Sequence, residues 1–224
     1  MHRARSLAGA LPLLVAGMVT PALGGPWSEA ERDEGVVVET RAEPNSDVDR
    51  VRGRVILTYT TDQVAAVLTD VAHHHTFMPK MERADVLERS VRPDGRVVQL
   101  IHQLTALPVI NNRDVVLHTE TWSEQTPDGR VWHSTFHALR DAGPPLQDGW
   151  VRITRLSGAW TLSPIANGQG TAFSYECHAE VGGNVPDFMA ESGQVGTVIE
   201  MLKGLRARCR AVYRGGARAQ TPSQ

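Results

Sequence analysis

Leu107-Pro108-Val109-Ile110-Asn111-Asn112-Arg113-Asp114-Val115-Val116-Leu117 is the stretch on which the fold turns. Its proline marks a turn, Arg113 and Asp114 are an oppositely charged pair, and the residues after them alternate like a strand with one apolar face. At the far end of the chain, Val195, Val198, Leu202, Leu205, Cys209 and Val212 recur at steps of three and four, the stripe of a long amphipathic helix. Such a stripe has to be buried, and a curved sheet is the only partner large enough. The two segments together predict a sheet gripping a terminal helix around an apolar space, and so a carrier of hydrophobic molecules.

Pro-Asp-Gly turns at Pro93-Asp94-Gly95 and Pro127-Asp128-Gly129, and an Asn167-Gly168 step, mark hairpins between these ends. Proline presets the first turn dihedral, aspartate bonds the local backbone, and glycine takes the left-handed position. Strands are expected at about 82–91, 95–104, 113–124, 130–139, 149–162 and 170–181, after two earlier ones at about 36–42 and 50–58. Tight turns between consecutive strands give an antiparallel meander, not a parallel α/β sheet. Thr60 and Gln63 stand at capping-box spacing ahead of the stripe Val64, Val67, Leu68, Val71, in a helix that ends near His73-His74-His75 and before Pro79. The second helix starts after Pro186.

Side-chain parity assigns faces. Pairing Gln125 with Arg130 sets His118 opposite His137, Trp122 opposite His133, Thr119 opposite Phe136 and Leu117 opposite Ala138. Leu117, Thr119, Trp132 and Phe136 then share the apolar, concave face, while His118, Glu120, Trp122, His133 and His137 share the polar one. The same test around Asn167-Gly168 gathers Leu156, Gly158, Trp160, Leu162, Phe173, Tyr175 and Cys177 inside and leaves Arg155 near Glu180 outside. The 82–104 hairpin alternates too weakly to assign. The expected lining is therefore Leu117, Thr119, Trp132, Phe136, Leu156, Trp160, Phe173 and Tyr175, closed by Val198, Leu202 and Leu205, with the helix or the Leu107–Asn112 loop opening to admit a ligand.

The first residues bear on location. Met1 to Gly24 holds Arg3 and Arg5, an apolar stretch from Leu7 to Val19, and Ala22-Leu23-Gly24 with small residues where a signal peptidase reads. Gly9, Pro12 and Gly17 interrupt the stretch, which falls short of the ~20 apolar residues of a bilayer span; cleavage near Gly24 is favoured over an uncleaved anchor. The reading is a periplasmic or secreted monomer with one domain over 25–213 and a disordered tail over 214–224. A net charge of −2 and a pI near 6.5 supply no long-range field for nucleic acid or an anionic membrane. Lys203, Arg206, Arg208, Arg210, Arg214 and Arg218 suit a solvated helix face and the negative helix C-terminus, so any membrane contact is expected to be transient. Cys177, on a strand, and Cys209, late on the returning helix, lie ~20 Å and ~35 Å from the turn between them, too uneven for a bridge that needs Cα atoms within about 7 Å. Two buried free thiols are expected.

Sharper chemistry finds less support. Three consecutive histidines on a helix end diverge by about 100° each and cannot converge on one ion, so His73, His74 and His75 read as exposed. His118, His133, His137 and Glu120 lie on the convex face without the enclosing shell a zinc site needs, so no metal is expected. Arg113 and Arg152 point toward the inner side near strand ends, either as structural ion pairs with Asp114 or Asp148 or as partners of an anionic headgroup at the tunnel mouth.

Taken in order and spacing, Val51-Arg52-Gly53, the helix Asp62 to Val71, Phe77-Met78-Pro79, Val86-Leu87-Glu88, Asn112-Arg113-Asp114-Val115-Val116, Gly158-Ala159-Trp160-Thr161-Leu162 and Leu202-Lys203-Gly204-Leu205-Arg206 resemble a START domain, the steroidogenic-acute-regulatory-related lipid transfer module. The resemblance covers roughly Trp27 to Tyr213. It implies an α+β helix-grip fold, with a long C-terminal helix across a curved antiparallel sheet and a tunnel for one lipid or sterol, used without a cofactor. Cholesterol carriers of this kind bury an arginine and an acidic residue in the tunnel; the matching positions here are Thr119 and Gln103, both uncharged. That departure suits a ligand with few polar groups. Aromatase/cyclases and hydrolases share the architecture, which leaves an enzyme as the alternative. Tyr175, Thr119, Arg113 and Arg152 are the only obvious polar candidates for it, with no nucleophile, base and orienting group together.

Overall fold

A computed structural model of the chain describes residues 25–107, 111–183 and 187–214. The expected export signal, the expected tail beyond Arg214 and the core of the Leu107–Asn112 loop lie outside these residues. Three strands come first: β1 (Ser28–Asp33), β2 (Val36–Arg41) and β3 (Arg50–Leu57). Helix α1 (Thr61–Thr69) and a 3₁₀ helix (Val71–Thr76) follow, then β4 (Met81–Val91), β5 (Val97–Thr105), β6 (Arg113–Thr126) and β7 (Gly129–Ala138). The chain ends with β8 (Val151–Arg152), β9 (Arg155–Ile165), β10 (Gly170–Glu180) and α2 (Asp187–Arg214). The strands make one sheet in the order β1-β2-β3-β10-β9-β7-β6-β5-β4, antiparallel throughout except that β8 runs parallel to β6.

The hairpin registers follow from their turns. Gln125 pairs with Arg130, and from that pair Thr119 faces Phe136, Leu117 faces Ala138 and Trp122 faces His133. Around Asn167, Tyr175 pairs with Trp160 and Phe173 with Leu162, with Arg155 bonded to Glu180 at 2.8 Å on the outside. The capping box of α1 is complete: Gln63 donates its N–H to Thr60 Oγ1 at 3.3 Å, and Thr60 N–H donates to Gln63 Oε1 at 3.0 Å. Val64, Val67, Leu68 and Val71 are all buried.

Three expectations for the elements are corrected. β1 (Ser-Glu-Ala-Glu-Arg-Asp) was not anticipated, because an edge strand exposed along its length has no apolar alternation to read. The strand expected at 149–162 is two strands: Val151 and Arg152 pair with Arg113 and Asp114, and the chain then turns into β9. The stripe of α2 ends short of Val212, which is 39% exposed; Tyr213 closes the last turn by packing its ring at a tilt against Tyr59, centroids 5.8 Å apart, and donating its hydroxyl to the Gln63 carbonyl at 2.8 Å.

Helix α2 meets the sheet at one end. It packs on β2 and β3 and touches α1 and β1. Gly53 permits this approach: a methyl group there would stand 2.7 Å from Leu202 Cδ1 and closer still to Val198 Cγ1. Val198 and Leu202 are therefore seated solidly among Val36, Val38, Val51 and Val55. Helix α1 covers another part of the concave face, against β7, β9 and β10. Uncovered space remains in the middle of the concavity.

Both cysteines are free and buried. Burial pushes each thiol up to about 11, which keeps the reactive thiolate scarce at neutral pH. An aromatic disulfide reagent at about pH 8 is expected to find neither thiol in native protein and both after denaturation. A bridge, revealed by no free thiol in denaturant, is the contrary result.

Candidate functional site

The uncovered space is a cavity of about 230 Å³. Cross-strand register builds its floor. Gln99, Ile101 and Gln103 of β5 stand opposite Thr119, Leu117 and Val115 of β6, so Gln99, Ile101, Gln103, Leu117 and Thr119 share one wall. Thr121 and Ser134 pair across β6 and β7 with their hydroxyls 3.0 Å apart. Phe136 pairs with Gly158, and the missing side chain at Gly158 is what lets the Phe136 ring lie across β9. That ring stacks on Tyr175 at 5.8 Å, continuing into a wall of Leu156, Trp160 and Phe173. Leu68, Val71, His74, Phe77 and Met78, from α1, the 3₁₀ helix and the turn after it, and Thr197, Met201 and Leu205 of α2 complete the lining.

Of the twelve expected lining residues, nine meet here: Gln103, Leu117, Thr119, Phe136, Leu156, Trp160, Phe173, Tyr175 and Leu205. Three do not. Trp132 is on the predicted face but near the hairpin end of β7, where α1 covers the sheet; its indole N–H donates to Asp62 Oδ1 at 2.7 Å. Val198 and Leu202 are turned onto β2 and β3 by the approach over Gly53, so the edge of α2 that faces the cavity is Thr197, Met201, Leu205, a step of four.

His74 corrects another expectation. In a 3₁₀ helix successive side chains turn by about 120°, so His74 folds inward to 6% exposure while His73 and His75 stay outside on Asp70 and on the Ala72 carbonyl. Its Nε2–H donates to the Leu68 carbonyl at 2.9 Å. Sequence offered no signal for this beyond the break before Pro79.

Neither arginine reaches the cavity. Arg152 grips Asp114 with Nε at 2.6 Å from Oδ1 and a second nitrogen at 3.0 Å from Oδ2, and gives further bonds to the Ala142 and Pro144 carbonyls. His102 Nε2 completes the group 2.8 Å from Asp114 Oδ2. These groups lie on the sheet face opposite the cavity, because position 114 alternates with Val115 and Leu117; the expected inward aim of Arg152 is overturned and its ion pair with Asp114 is observed. Arg113, also buried, binds carbonyls of Asn111, Val181 and Gly182, and among the described residues it has no carboxylate within 4.0 Å. It ties the start of β6 to the loop before α2.

The lining is electrically quiet. Among its described residues, only His74 and Tyr175 can ionise near neutral or alkaline pH. Burial pushes the His74 pKa down and the Tyr175 pKa well up, so both stay neutral. Among the described residues no group of three or more potential ligands could hold a metal ion, and no helix is long and apolar enough to cross a membrane.

A ten-stranded curved sheet, a long C-terminal helix and an apolar hollow beside them define a helix-grip protein with room for a small molecule. The family model described as the START domain matches residues 24–213, and the chain belongs to that family. A STAR-related lipid transfer protein from Xanthomonas axonopodis has the same fold with a TM-score of 0.70 at 33% identity, over 82% of this chain and 98% of that one. Human STARD10 aligns with a TM-score of 0.72 over 85% of this chain and 75% of its own, at 13% identity, a likeness of fold alone. An uncharacterized protein of Pseudomonas aeruginosa is 28% identical over 199 residues, 88% of this chain and 93% of its own length.

Proposed function

We propose that the chain binds one uncharged, largely apolar molecule in this cavity and carries it as a lipid-binding or transfer protein. The observation that supports the reading is a hollow of about 230 Å³ walled by aliphatic, aromatic and neutral polar side chains, with no ionised group among its described residues. Burial of apolar surface at about 25 cal/mol per Å² holds such a ligand without a charged anchor. The volume lies just under the ~300–1,000 Å³ usual for ligand pockets, so the closed form suits one acyl chain or a small ring system. A bulkier lipid requires the Thr197–Met201–Leu205 edge of α2 to swing away. The Xanthomonas relative carries lipid transfer in its name, which accords with this reading.

A carrier is favoured over an enzyme because the Ser134 hydroxyl on the wall is bonded to Thr121, not to a base, and His74 uses its Nε2–H on a backbone carbonyl. The sequence of the first 24 residues supports export and cleavage near Gly24, which would place the protein in a periplasm or outside the cell.

The test fills the hollow. Thr119→Phe adds a ring to the β6 wall and is expected to weaken binding of the neutral fluorophore N-phenyl-1-naphthylamine by about tenfold or more, with a thermal midpoint within a few degrees of wild type. Unchanged affinity would place the fluorophore elsewhere and contradict the cavity as binding site.

A further inference from the structure

The polar convex face of the sheet carries side chains for which the cavity has no use. His118 of β6 and His137 of β7 are direct cross-strand partners there, with ring centroids 5.0 Å apart and planes tilted by 35°. Cross-strand partners project side by side from one face, so the backbone alone holds the two imidazoles together. His118 is half-buried and His137 is exposed. The other histidines of the sheet are engaged: His102 by Asp114, His133 by Glu124 and Thr161, and His178 by Ser46. Among the described residues His118 and His137 have only each other, and with no hydrogen bond fixing either ring, each can turn a nitrogen toward a shared point.

We propose that His118 and His137 chelate a divalent late first-row transition ion, Ni²⁺, Cu²⁺ or Zn²⁺, on the outer surface of the sheet, with water completing its coordination. The spacing fits. A metal–nitrogen bond of about 2.0–2.1 Å, extended by about 1.2 Å from nitrogen to ring centre, sets two rings at about 90–110° on one ion with their centres about 4.5–5.2 Å apart. The observed 5.0 Å falls inside that range. Imidazole nitrogen suits these ions, whereas Mg²⁺ and Ca²⁺ take oxygen ligands. Glu120, two residues along the same face of β6, does not supply a third ligand, because Arg92 holds its carboxylate at 2.7 Å. The site is therefore open and completed by water, unlike the closed four-ligand shell of a structural zinc centre. An ion held there clips β6 to β7 and stabilises the folded sheet by mass action, since the unfolded chain does not keep the two rings together.

Calorimetric titration of Zn²⁺ into metal-free, untagged protein near neutral pH tests the site. Wild type is expected to take one Zn²⁺ per chain in the micromolar range and no Mg²⁺, with a thermal midpoint that rises at saturating Zn²⁺. His118→Gln and His137→Gln are each expected to weaken Zn²⁺ by about tenfold or more and to abolish the rise, whereas the double variant His73→Gln/His75→Gln binds as wild type does. Absence of binding, binding that survives both single substitutions, or binding lost with His73 and His75 overturns the site. Should either single variant not fold, ¹⁵N spectra of wild-type histidines decide: ring nitrogens of His118 and His137 shift together and saturate at one equivalent of Zn²⁺, and a response from one ring alone or from neither contradicts the assignment.

Discussion

Asp114→Ala is expected to destabilise the fold by about 3 kcal/mol, because it leaves the partly buried Arg152 guanidinium and the buried His102 imidazole beside each other without their carboxylate. Asp114 is almost fully buried and takes two bonds from Arg152 and one from His102. Burial alone would push its carboxyl up; the Arg152 and His102 hydrogen bonds outweigh that and hold it below the usual range. The sign of the pH dependence follows. A carboxyl lowered on folding stabilises the native state above its unfolded pKa, and that contribution is lost as pH falls through the folded value. Wild-type stability in urea should therefore fall off below about pH 4 more steeply than that of Asp114→Asn, which has no such carboxyl to protonate. Arg152→Met should cost at least about 1 kcal/mol less in the Asp114→Ala background than in wild type. Equal slopes and additive losses would show that the group contributes little. Ligand affinity should be unaffected, since the group lies on the face away from the cavity.

Leu202→Ala should cost about 2–5 kcal/mol and leave ligand preference intact. Leu202 is 0% exposed and packs over Gly53 among the valines of β2 and β3, so its truncation opens a new void in solid packing. Leu205, one turn on and equally buried, borders the existing cavity. Leu205→Ala should enlarge that space and shift binding toward longer or bulkier ligands. Urea unfolding and ligand titration on both variants measure the contrast. A change of ligand range with Leu202→Ala, and none with Leu205→Ala, would mean that α2 presents the other edge to the cavity.

Much of this arrangement was legible in the chain. The turn chemistry at Asp128 and Asn167 sets register, and register decides which of Leu117, Thr119, Phe136, Trp160, Phe173 and Tyr175 face together. What escaped has identifiable causes. β4 carries irregularities between Met81 and Arg83 and between Val86 and Glu88, each of which shifts parity. β5 buries both faces, with Ile101 toward the cavity and His102 and Leu104 toward the loop that Arg152 secures, so alternation vanishes and Gln99 and Ile101 were missed. Helical periodicity gave the apolar stripe of α2 but not its rotation, which depends on the close approach at Gly53. His74 was hidden because three histidines in a row carry no pattern until the backbone tightens to 3₁₀.

Native mass spectrometry of the protein purified from its own host without detergent, followed by organic extraction, tests the central claim most directly. The account predicts one neutral, largely apolar guest per chain, retained by wild type and lost from Thr119→Phe. Bare wild-type chain that also takes up none of a panel of neutral lipids and alcohols would contradict it.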